Sequence, residues 1–148
     1  EVSVFVFFGL VATVGSAYVH GGGITEVALI AGVAVGLLAC ALLVANNLRD
    51  TEIDASVGKV TLAVRLGDRR TRLLYVCLLA GGLVCGSLCA LFRPWAMLVL
   101  VAGVVAVRPV KVVLAGGRGT DLFGILGVTG HVQWVAGVTL GLGLALSG

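Results

Sequence analysis

Five long apolar runs leave this chain little choice but a bundle of membrane helices. They cover about residues 2–19, 24–45, 73–92, 95–107 and 122–146. A helix needs about twenty apolar residues to cross a hydrocarbon core of about 30 Å, and four of the runs are that long. The fourth is interrupted by Arg108-Pro109 and is expected to continue past Pro109 as a kinked helix, with Lys111 reaching for the headgroups. Strands of a membrane β-barrel would instead alternate apolar and polar residues over about ten positions. Charged residues make up only 11% of the 148 residues, less than half the share usual in soluble domains. Twenty-three glycines suit helices whose backbones approach closely in lipid. The expectation is an all-α, polytopic transmembrane bundle of about five spans. It forms a single integral-membrane domain over residues 1–148, with the lipid bilayer as its surroundings and no nucleic-acid partner.

The loops test this segmentation independently. With five spans, the connections at 46–72 and 108–121 lie on one side, and they hold nine of the ten Lys and Arg residues; Arg93 alone lies opposite. The positive-inside rule assigns the richer side to the cytoplasm. Tyr18, Trp95 and Tyr75 are placed as interface anchors. Gly21-Gly22-Gly23 reads as an outer turn and Gly116-Gly117-Arg118-Gly119 as an inner one. Cys40, Cys77, Cys85 and Cys89 form no Cys-x-x-Cys pair and read as buried, reduced, small apolar residues. Residue 1 is Glu and no signal-peptide pattern precedes the first run, so the chain is expected to be the later part of a longer protein.

The acidic residues are not spread evenly. Asp50, Glu52, Asp54 and Asp68 lie in or just after the stretch Asn46-Asn47-Leu48-Arg49-Asp50-Thr51-Glu52-Ile53-Asp54, leaving three carboxylates for the rest of the chain. If the second helix continues beyond the apolar run, Asp50 and Asp54 lie on one face, about 40° apart. Two unpaired carboxylates there repel, and a divalent cation bound to a phosphate removes the repulsion. Magnesium takes one or two carboxylates together with phosphate oxygens. Asn46, one turn earlier, can offer an amide oxygen to metal or an amide hydrogen to phosphate. Arg49, Lys59, Arg65 and the Arg69/Arg70/Arg72 group supply phosphate-gripping cations, and Gly58 would permit a turn returning Lys59 towards the acids. The competing reading is a solvated loop of loosely paired charges.

The run Asn46-Asn47-Leu48-Arg49-Asp50-Thr51-Glu52-Ile53-Asp54, continued by Gly58-Lys59 and by Thr61-Leu62-Ala63-Val64-Arg65-Leu66-Gly67, resembles the second aspartate-rich motif of the UbiA-type membrane prenyltransferases. The Lys-x-Thr-Leu-Ala-Val-Arg-Leu-Gly tail and Arg69-Arg70-Thr71-Arg72-Leu73-Leu74-Tyr75 are most similar to the menaquinone-pathway branch, which prenylates 1,4-dihydroxy-2-naphthoate. The resemblance implies the C-terminal half of a nine-span bundle. It implies transfer of a polyprenyl group from polyprenyl diphosphate to that naphthoate, giving demethylmenaquinone, diphosphate and CO2. It further implies Asp50 and Asp54 as catalytic Mg2+ ligands, with Asn46, Asn47, Arg49, Lys59 and Arg65 binding the diphosphate. It places residues 46–72 as a cytoplasmic motif and basic loop of a bacterial cell-membrane enzyme. No first aspartate-rich motif occurs here, so an N-terminal half of the same protein is the expected partner and the isolated 148 residues are expected to be inactive. The alternatives are another acceptor such as 4-hydroxybenzoate, or a non-catalytic membrane or transporter fragment. His131, beside Gln133 and Trp134 in the fifth run, is a further candidate as an ionisable group within a span.

Overall fold

A computed structural model describes residues 1–147. The described chain is helical, with no strand, and runs as α1 (Val2–Gly21), α2 (Glu26–Ser56), a short α3 (Leu62–Leu66), α4 (Asp68–Leu91), α5 (Pro94–Leu114) and α6 (Thr120–Leu146). All but α3 are long and apolar enough to cross a membrane. The chain is thus an integral membrane protein of five spans among the described residues.

Local chemistry sets the ends. Gly22, at φ +70°, closes α1 by donating its N–H to the Tyr18 carbonyl, a backbone conformation costly for any residue with a Cβ. Thr25 opens α2 by accepting the Ala28 N–H (3.2 Å), with Glu26 in the positive first turn. Thr61 caps α3 in the same way (3.3 Å to Val64 N). Pro94 stands at the start of α5, where its missing N–H costs nothing. The fourth span runs unbroken through a buried Pro109 to Leu114, so the short apolar run does extend past the proline.

Helix α2 is the axis of the bundle. Half of its apolar stretch is buried, against 11% for α1 and 28% for each of α4, α5 and α6. Small side chains make this possible: Ala31, Ala34, Ala41 and Ala45 are buried beside Leu38, Val44 and Leu48. Helix α1 reaches α2 through glycine. A Cβ at Gly9 would lie 2.6 Å from the Gly32 carbonyl oxygen and 2.9 Å from the Gly36 Cα, closer than packed atoms allow. Gly9→Val is therefore expected to push α1 off α2 and cost about 1–3 kcal/mol, read as a lower thermal midpoint in detergent; Gly15→Val, on the same helix with open space around it, serves as the matched control.

Two sequence expectations need correction. Tyr75 is fully buried, and its hydroxyl pairs with Thr129 Oγ1 at 2.8 Å, itself donating to the Ile125 carbonyl. It joins α4 to α6 rather than anchoring an interface, because a buried phenol is satisfied by the nearest helix hydroxyl. Among the cysteines, Cys40 and Cys89 are buried, but Cys77 is exposed on the outer face of α4 and Cys85 only half-buried; all four are free thiols. In lipid an outward thiol meets apolar surroundings, so burial within the protein is not required of it.

The loops pair as the charge pattern requires. The buried Arg72, near the start of α4, donates to the carbonyls of Val113 (2.6 Å) and Gly117 (3.1 Å) at the end of α5. This places the 46–72 and 108–121 connections at one end of the bundle. At the other end, Arg93 donates to the Ser147 carbonyl (2.6 Å).

Candidate functional site

The site is built on the part of α2 that outruns the membrane. Thirty-one residues make a helix about 46 Å long, about 16 Å more than a hydrocarbon core, and the excess carries the charged motif. Along α2, Ala39, Leu42, Leu43 and Asn46 line an apolar groove of about 450 Å3 that Val4 and Phe8 of α1 and Leu126 and Gln133 of α6 complete. The same stripe of the helix continues beyond the groove to Asp50 and Asp54, all six positions falling within an arc of about 120°. An apolar groove thus ends at Asn46, one turn of α2 before Asp50.

Each carboxylate holds a cation of its own chain. Arg49 Nε and Nη2 grip both oxygens of Asp50 at 2.6 Å. That guanidinium holds the Asp50 carboxyl below the usual carboxylate range, against a smaller opposing effect of burial, and keeps it ionised at neutral pH. Arg49 also lies over the Phe123 ring of α6, 4.7 Å from its centroid, an arrangement that fixes the planar cation by attraction to the π face. Asp54 is buried, and the exposed Lys59 reaches both its oxygens at 3.1 and 3.2 Å. The turn that returns Lys59 runs through Gly58 at φ +74°, with Lys59 N–H donating to the Asp54 carbonyl (2.8 Å).

The other sequence-nominated residues are placed differently. Asn46 is on the stripe. Asn47 is turned towards α1 and donates to Glu1 Oε1 at 3.1 Å. Arg65, Arg69 and Arg70 are exposed. Arg72 does not join the carboxylates of α2: Asp68 holds it at 2.6 and 2.7 Å while it bonds the α5–α6 connection. Asp68, at the protruding start of α4, is in turn held below the usual carboxylate range by Arg72. His131 donates to the Gly127 carbonyl of its own helix (2.7 Å) on an exposed face.

Magnesium fits this donor set as the sharer of a substrate's phosphates. Among the described residues no three His, Cys, Asp or Glu side chains converge as an all-protein metal cage. Two carboxylates one turn apart, with an amide one turn below, are the sparse protein contribution that magnesium uses beside a phosphate.

Residues 1–118 match the model of the UbiA prenyltransferase family. The chain belongs to that family. Three similar relatives are each named 1,4-dihydroxy-2-naphthoate octaprenyltransferase. The Mycobacterium tuberculosis protein is 46% identical over 135 residues, 91% of this chain and 46% of the relative. The Mycobacterium leprae protein is 41% identical over 148 residues, 100% of this chain and 50% of the relative. The Escherichia coli protein is 40% identical over 117 residues, 77% and 38% of the two chains. This UbiA-family chain therefore spans half the length or less of these curated relatives. No solved structure matches it.

Two residues that the structure brings to this part of the UbiA-family chain were not singled out by sequence reasoning. Phe123, under Arg49, sits in an apolar run where one more aromatic carries no signal. Gln133 was noticed only as a neighbour of His131. Its own signal is available in retrospect: it is the one amide in α6 and stands seven residues, two turns, from Leu126 on the groove-lining face.

Proposed function

We propose that these residues form one side of the active site of a membrane polyprenyltransferase of menaquinone biosynthesis. The reaction joins polyprenyl diphosphate to 1,4-dihydroxy-2-naphthoate and yields the quinol form of demethylmenaquinone, diphosphate and CO2. The observation that carries the reading is the single α2 stripe on which an apolar groove leads to Asn46, Asp50 and Asp54. The relatives' shared name selects the acceptor. A second acidic motif, from the part of the relatives' length not matched here, would face this one across the cavity. The positive-inside rule puts the charged end at the cytoplasmic face of a bacterial cell membrane.

The two internal ion pairs are poised for exchange of partners. Asp50 and Asp54 would hold the metal, and Arg49 and Lys59, once released from them, would meet the diphosphate oxygens. Charge stays balanced within the site, and Phe123 keeps the Arg49 guanidinium oriented through the exchange. Magnesium, when bound, neutralises charge building on the departing diphosphate. Arg49 and Lys59 act on the same charge as the C–O bond breaks, so their attraction strengthens in the transition state. The allylic cation is then attacked by the electron-rich ring; a C–C bond forms, the ring's carboxylate leaves as CO2, and the electron pair of the broken C–C bond restores the aromatic ring. The apolar groove keeps water from intercepting the cation. Asn46 and, in a supporting place, Asn47 orient the motif, and Arg65 is within the basic loop that meets diphosphate.

The complete protein carrying this segment, reconstituted in liposomes with both substrates, is expected to form prenylated product only with Mg2+ and to release CO2 in equal amount. Preference for 4-hydroxybenzoate, or product without CO2, would refute the acceptor assignment. Lys59→Ala is expected to raise KM for the diphosphate substrate about tenfold, less than loss of either aspartate, because Lys59 is an exposed point charge.

A further inference from the structure

We propose that Gln133 is a binding residue for the aromatic acceptor, holding an oxygen substituent of its ring at the deep end of the groove; this rests on the acceptor reading above. The groove runs between Ala39 and Asn46 on α2 and between Leu126 and Gln133 on α6. Seven residues on each helix give it a length of about 10 Å. Phe123 meets Arg49 near the charged end, so Leu126 is level with Asn46, and Gln133 lies at the end remote from Asp50. Its volume of about 450 Å3 falls within the range of small-molecule sites.

The lining is otherwise apolar, with an amide at each end. Both amides are half-buried, and neither hydrogen-bonds another described residue. An amide in apolar surroundings is costly unless it finds a partner, and an isoprenoid tail, which is hydrocarbon, offers none. A planar ring bearing two hydroxyls para to one another offers one at each end. Asn46 then lies beside the reacting edge of the ring and Gln133 beside its far oxygen. The polar pair thereby sets which edge of the acceptor faces Asp50, Asp54 and the departing diphosphate. The far oxygen is a phenolic hydroxyl, since the carboxylate leaves from the reacting edge, and Gln133, with two donors and an acceptor, can donate to it or accept from it.

The test uses the complete reconstituted protein and the variants Gln133→Leu and Gln133→Glu. Gln133→Leu is expected to raise KM for the dihydroxynaphthoate about 10- to 100-fold and to leave KM for polyprenyl diphosphate and the Mg2+ requirement unchanged. Binding read without turnover gives a second measure: dihydroxynaphthoate alone, without diphosphate or Mg2+, raises the thermal midpoint of the wild type and not of Gln133→Leu. Gln133→Glu tests the hydroxyl partner: its carboxylate can still accept from a hydroxyl, so it is expected to retain more affinity than Gln133→Leu, and binding worse than Gln133→Leu would overturn the assignment. An unchanged acceptor KM in Gln133→Leu, with an active wild type, would overturn this assignment alone. So would equal rises in both KM values accompanied by a lowered midpoint of the unliganded protein, which would make Gln133 a helix-packing residue. A wild type inactive on dihydroxynaphthoate would overturn the acceptor reading itself, and this assignment with it.

Discussion

Asp50→Asn in the complete protein is expected to lower kcat by about 10²–10³-fold, and Asp54→Asn to do the same. Asparagine keeps the shape and one acceptor oxygen of the aspartate and removes the charge, so the backbone of α2 need not move. The loss then reports on electrostatics alone. With Asp50 neutral, Arg49 has no internal partner to exchange, and the metal loses one of its two protein carboxylates. Raising Mg2+ is expected to recover part of the activity of either variant, because weakened metal affinity is restored by mass action. Glu52→Gln is the control. Glu52 is exposed on the same end of α2 but off the groove-facing stripe, and its loss is expected to leave kcat and the Mg2+ dependence unchanged. Steady-state kinetics across a Mg2+ series decides it: wild-type kcat in Asp50→Asn would show that the ion pairs of the stripe are structural and that Asp50 takes no part in turnover.

Much of this was legible from residue types because lipid simplifies the physics. Five spans follow from run length, and the common end of the two basic loops follows from counting connections; the contacts of Arg72 with Val113 and Gly117 agree with both. The placement of Asp50 and Asp54 on one stripe follows from four-residue spacing once α2 is known to continue to Ser56. What the residues did not announce are the partners chosen at longer range. A tyrosine near the end of an apolar run reads as an interface anchor, and only the approach of Thr129 from α6, 54 positions away, makes Tyr75 a core residue. Arg72 reads as one more cation of a basic group; only the fold turns it away from the carboxylates of α2. Within one helix, period and spacing govern neighbours. Between helices, neighbours depend on rotation about each axis, which glycine contacts such as Gly9 on Gly32 and Gly36 set and which no local pattern encodes.

Arg72 also carries the second large expected effect, on stability rather than turnover. Its guanidinium is buried, with 7% of the side chain exposed, while Asp68 is half exposed. One charged group thus joins the first turn of α4 to the last turn of α5 and the connection beyond it. Arg72→Ala removes the cation and leaves the Val113 and Gly117 carbonyls without that donor. Breaking a buried, hydrogen-bonded ion pair costs about 3–5 kcal/mol, and the exposure of Asp68 argues for the lower end, about 3 kcal/mol. Arg72→Lys is expected to recover only part, since an ammonium cannot span two carboxylate oxygens and two carbonyls in one plane. The pH dependence separates the ion pair from the carbonyl bonds. Arg72 holds the Asp68 carboxyl below its ordinary range, so the pair's contribution is complete above the unfolded carboxylate value near 4 and is lost as pH falls through the depressed folded value. Thermal midpoints in detergent should therefore differ most between wild type and Arg72→Ala near neutrality and draw together on acidification, stopping short of coincidence because the bonds to Val113 and Gly117 do not titrate. A difference that is constant with pH would assign the whole effect to those two carbonyls.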